Sequence, residues 1–169
     1  MERRTLIGGI LIWAGLICGS APASMRGQRI SDANEEAMWR LQNAREFFPA
    51  ASTVGPADIL YRVGIVSQLA LTACLVAAGW SDDDCRRHVG QDVGKAFRLA
   101  KSKGLQFHSE NFERLTPLLS QYGRWRSPAA ADSSELATLD VNEARATLAN
   151  LLVSVRSHLI GGGAEGARR

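Results

Sequence analysis

Residues 58–79, DILYRVGIVSQLALTACLVAAG, decide the fold. At about 100° per residue, Asp58, Arg62, Gln68 and Thr72 share one narrow stripe, with Ser67 the exception, so nearly the whole circumference is apolar. A helix of that kind belongs at the centre of a bundle. A transmembrane span would place Arg62 and Gln68 in lipid and has no basic cluster before it, so the core reading is preferred. The pattern predicts a helix over about 57–78, with Pro56 suited to its first turn and Gly79 as a left-handed stop.

Working outward, Ser81 with Asp82, Asp83 and Asp84 reads as the next helix start, where carboxylates favour the positive end of the helix dipole. Adjacent aspartates on a helix point to different sides, so a solvated cap is preferred to a metal site. Residues 90–104, GQDVGKAFRLAKSKG, predict an amphipathic helix over 91–103 with Val93, Ala96, Phe97 and Ala100 inward and Gly104 as its stop. Upstream, Ser31 and Asp32 with Glu35 resemble a capping box, and Ala37, Leu41, Ala44 and Phe48 recur at helical spacing until Pro49. Residues 49–56 form a loop. Downstream, 109–122 carries Phe112, Leu115, Leu118, Leu119 and Tyr122, with Pro117 expected to kink or split the helix. The stretch GRWRSPAAADSS is a loop. A last helix opens at Asp140 and Glu143 and buries Ala144, Leu148, Leu151, Leu152, Val155 and Leu159. The run Gly161 to Gly163 is expected to end it, leaving 161–169 as a disordered tail. With no strand pattern, the fold class is all-α, a four- to five-helix bundle.

Composition agrees with one domain over 25–160: 169 residues, 46% apolar and 22% charged, are enough for one sizeable core. The net charge of +3 is poor evidence for nucleic acid. Cys18, Cys74 and Cys85 make no CxxC pair, so neither a zinc site nor a disulfide framework is indicated, and Cys74 reads as a small core residue. Residues 1–24 admit two readings. Arg3 and Arg4, the apolar run Leu6 to Cys18 and the pattern Ala21-Pro22-Ala23 match a secretory signal peptide, which implies export and membrane contact only through the leader. Alternatively translation starts at Met25, and the protein is cytoplasmic.

The order of a first helix ending near Phe48, the segment SQLALTACLVAAG and then GQDVGKAFRLAKSKGL resembles the HEPN family of bacterial helical-bundle proteins over about residues 33–160. In that family the second helix carries a glutamate and a lysine, and a His-Asp-Leu turn opens the third. Here Gln68 and Thr72 stand at the first pair, and Gln91, Asp92 and Val93 at the turn, so only Asp92 is kept. The resemblance implies a HEPN-like bundle that pairs with itself or with a protein partner, of nucleotidyltransferase or toxin–antitoxin type. Active HEPN ribonucleases place an arginine before a histidine with four to six residues between them. None of the three histidines has one: His88 directly follows Arg86 and Arg87, His108 has only lysines upstream at that distance, and His158 has Arg156 two before it. The expectation is therefore no catalytic residue, no metal and no cofactor.

Other chemistry is thinner still. The tail GGGAEG lacks the Lys and Ser or Thr of a phosphate-binding loop. Recognition candidates are two. Arg86, Arg87 and His88 form the densest basic spot, though directly after three aspartates it reads as an internally balanced face. Arg124, Trp125 and Arg126 place an aromatic between two arginines, fit to stack on a base of RNA or a nucleotide, or to anchor in a partner's pocket. The preferred reading makes Trp125 a cap on the core edge with two solvated arginines, since nucleic-acid sites usually come with wider positive fields. Function is expected to be binding or assembly, against two rivals: an exported protein of the cell envelope and a divergent ribonuclease or nucleotide-processing enzyme.

Overall fold

An apolar helix with no polar face needs neighbours on every side, and the chain supplies them. The computed structural model describes residues 23–53, 55–127, 134–137 and 139–166. Its helices are α1 (Ala23–Glu46), α2 (Pro56–Ala77), α3 (Asp82–His88), α4 (Val93–Ser102), α5 (Glu110–Leu119), α6 (Ser134–Ala137) and α7 (Val141–Gly166), with a 3-10 turn at Tyr122–Arg126 between α5 and α6. Among the described residues there is no strand, and the fold is all-α. α2 packs against α1, α3, α4, α5, α7 and the 3-10 turn. It is long and apolar enough to cross a membrane, yet 72% of its apolar window is buried inside the bundle.

Glycine permits the closest of these approaches. At Gly64 a Cβ would lie 2.4 Å from the Cβ of Tyr122 and 3.0 Å from the carbonyl of Leu119, so any side chain there would push α2 off the 3-10 turn. Gly79 and Gly104 take φ of +91° and +99° and end their helices in the same way. After each glycine an apolar residue turns back: the Trp80 amide donates to the Leu75 carbonyl at 3.0 Å, and that of Leu105 to Ala100 at 3.1 Å. Beside α4 the rings of Phe97, Phe107 and Phe112 meet edge to face, with centroids 5.0 to 6.0 Å apart.

Several boundaries move for physical reasons. α1 begins at Ala23, so Ser31 and Asp32 lie inside it and do not cap it; no proline separates them from the helical residues upstream. The stretch after Ser81 is a helix of its own, since Gly90 at φ +59° breaks the chain before α4. α4 then starts at Val93, because Asp92 is its cap, accepting from the Lys95 amide at 2.7 Å. Pro117 does not split α5. A proline removes the amide that would bond the Glu113 carbonyl, and the Thr116 hydroxyl takes that acceptor at 2.9 Å. The 3-10 turn Tyr122–Arg126 falls in the stretch 123–134 expected as loop, α6 begins at the last residue of that stretch, and 128–133 lie outside the described residues. At the other end, Gly161 to Gly163 do not stop α7, which runs to Gly166. The stops at Gly79 and Gly104 each have a large apolar residue behind the glycine, and the glycine run has none. The tail expectation for 167–169 lies outside the described residues.

Candidate interaction surface

The two basic stretches singled out by sequence have partners of their own. In α3, Ser81 and Asp84 make a reciprocal capping box, which holds the Asp84 carboxyl below its ordinary range mainly through the Ser81 hydroxyl. Asp83 takes both neighbouring arginines, Arg86 at 2.8 Å and Arg87 at 2.5 Å. His88 rests edge-on against Trp80, ring centroids 5.8 Å apart. Asp82 pairs with Arg40 of α1, a side chain only 12% exposed that also holds Glu36 at 3.0 Å. This tie fastens α3 to the bundle. The aspartates are thus engaged with the chain itself, and among the described residues no group of three or more His, Cys, Asp or Glu is placed to hold a metal.

Trp125 takes the preferred core-edge reading, and its place as a recognition candidate is corrected. It is 3% exposed, and its indole Nε1 donates to the Leu118 carbonyl at 3.0 Å, so its ring is part of the core edge and is closed to a base. Arg124 lies over that ring, 4.9 Å from the centroid, and pairs with Glu135 at 3.0 Å. Arg126 lies 5.5 Å over Tyr61. Both arginines remain exposed, but they brace the 3-10 turn against α2 and α6, and the aromatic between them is spent inward. Asp92, the residue shared with the HEPN turn, serves as the α4 cap.

The thiols are equally enclosed. Burial pushes Cys74 up to about 12 and raises Cys85 as well, so neither offers a thiolate. His158, half-buried against the turn at Gly104, is shifted down by desolvation. Arg145 donates to the carbonyls of Ala50 and Thr53, tying α7 to the α1–α2 loop.

Several large apolar side chains are open to solvent as well. Trp39 is 62% exposed on α1 beside Met38, Phe47 is exposed just past the end of α1, and Val153 and Ile160 are 65% and 60% exposed on α7. These two helices pack on each other. On α7 the exposed Ala146 and Ala149 extend the same stripe, at spacings of three, four and seven residues. Sequence reasoning passed over these residues, although helical geometry puts Trp39 off the Ala37 face and Val153 off the Leu148 face. A second feature also escaped it: a groove of about 410 Å³ between α4 and α5, lined by Gly94, Phe97, Arg98, Lys101, Glu113 and Thr116. Comparison with protein-family models, curated proteins and solved structures finds no match.

Proposed function

We propose that the chain is a non-catalytic, HEPN-like helical bundle that works as an assembly module, pairing with a second copy of itself through the outer faces of α1 and α7. The observation that carries the reading is the α7 stripe Ala146, Ala149, Val153 and Ile160, exposed and uncharged on a long helix. Ala146, Ala149 and Val153 follow the three- and four-residue steps of the seam by which one helix packs on another, and the step between Val153 and Ile160 falls on the exposed Arg156. Trp39 and Met38 on the neighbouring helix and Phe47 just past its end add large apolar area, of the residue types that anchor interfaces. A net charge of +3 opposes pairing only weakly. A nucleotidyltransferase-type or toxin–antitoxin protein is the alternative partner for the same faces.

Sedimentation velocity of the purified chain over a hundredfold concentration range tests the proposal. Self-association is expected, abolished by combining Trp39→Asp with Val153→Asp. A monomer at every concentration would refute pairing with a second copy and leave a different protein as the partner. Metal-independent RNA cleavage by the same preparation would favour the enzyme reading instead. The compartment follows from one determination: a mature N-terminus at Ser24 means export, and one at Met25 means a cytoplasmic protein.

A further inference from the structure

Arg145 of α7 donates to the carbonyls of Ala50 and Thr53, just beyond the end of α1, and the two helices pack on each other, so α7 starts where α1 ends and runs back along it. At about 1.5 Å per residue this antiparallel run sets Phe47 near the height of Ala146, and Trp39, about 12 Å farther along, near that of Val153, about 10 Å beyond Ala146. Large exposed side chains at α1 thus stand level with small ones on α7. One turn farther still come Glu35 and Arg156, both exposed, and among the described residues neither makes an ion pair. A two-fold axis can join a second copy to these faces in two ways. Lying along the helices, it sets α1 of one copy on α7 of the other and keeps every height, so that large meets small and Glu35 meets Arg156. Lying across them, it sets α1 on α1 and α7 on α7. Over residues 31–46, α1 exposes Asp32, Glu35, Glu36 and Glu46 against Arg45 alone, whereas α7 exposes Glu143 and Arg156. Stacking α1 on itself therefore sets acid against acid, which an interface penalises, and setting it on α7 avoids this.

We infer that the second copy docks reciprocally, α1 of each chain seated on α7 of the other, with Trp39 on the second copy's Val153, Phe47 on its Ala146 and Glu35 on its Arg156. This rests on the self-pairing proposed above and adds its symmetry: two identical contacts, each joining different helices. Trp39→Asp and Val153→Asp, made separately at these exposed positions with folding checked by thermal melting, test it when sedimentation velocity is read for each full chain and for their equimolar mixture. A homodimer of either variant has both contacts damaged, whereas a mixed dimer gathers the two aspartates into one contact and leaves the other whole. The mixture is expected to pair at least tenfold more tightly than either variant alone. Mixing Glu35→Arg with Arg156→Glu should act in the same direction and more weakly, as exposed ion pairs do. With the axis across the helices the order reverses, because each homodimer then keeps one contact intact and the mixed dimer keeps none. A mixture that pairs no more tightly than its components, while the unmodified chain pairs, overturns the reciprocal arrangement and leaves self-pairing standing. Variants that pair as tightly as the unmodified chain place the contact elsewhere and overturn it too. An unmodified chain that stays monomeric refutes self-pairing and the arrangement together.

Discussion

α2, of 22 residues, and α7, of 26, are long apolar-rich helices, and the bundle uses them differently. α2 buries residues on all sides, polar Ser67 and Thr72 among them. α7 buries one face, Ala144 through Leu159, and presents Val153 and Ile160 outward. The difference teaches where a function can reside. Every side chain of the α2 centre is committed to packing, so its substitution should be felt as lost stability. The outer face of α7 holds nothing in place, so its substitution should be felt in association alone.

Breaking the α2 side should give the largest effects. Trp125 closes the 3-10 turn that packs on α2, and Trp125→Ala should cost about 4 kcal/mol in chemical denaturation. An effect below about 1 kcal/mol would return the indole to the surface. Gly64→Ala should cost about 3 kcal/mol, because the added methyl meets Tyr122 at an impossible distance. Farther from the axis, Ser81→Ala should cost about 1 kcal/mol by removing the α3 cap. Val153→Asp should leave stability within about 0.5 kcal/mol while weakening self-association.

The smallest effect is a pH slope. Desolvation lowers the folded-state value of His158, so the unfolded chain takes up its proton first. Stability should therefore decline as pH falls from about 6.5 through the lowered folded value, the ordinary histidine value being the upper edge of the window. His158→Gln should flatten that part of the stability–pH curve. A slope unchanged by the substitution would mean that other groups supply it.

Much of the bundle was legible in the sequence because periodicity and glycine stops are local. The inward residues of α4 and α7, the left-handed turns at Gly79 and Gly104 and the Asp140 cap all follow from neighbours within a few residues. The misses depended on partners farther away or on competition between signals. Ser31 and Asp32 had the side chains of a cap, yet a continuing helix removed the free amides that a cap serves. Trp125 sat between two arginines in a stretch read as loop, and the carbonyl that takes its indole proton belongs to Leu118, seven residues back across the turn. Asp83 balancing Arg86 and Arg87 was legible, since the three share one helical turn or its neighbour. Arg98 and its groove were not, because the opposite wall comes from α5.

The contrast between a spent interior and an available surface reduces to two thiols, one native and one introduced by Val153→Cys. Alkylation of that variant by a maleimide at pH 7.5 can be followed site by site by peptide mass spectrometry. Cys74, enclosed and pushed up to about 12, should stay unmodified until denaturant is added, at every protein concentration. The introduced thiol on α7 should react rapidly in dilute protein and be protected as concentration rises and copies pair. Ready modification of native Cys74, or a rate at the introduced thiol that does not change with concentration, would contradict that division.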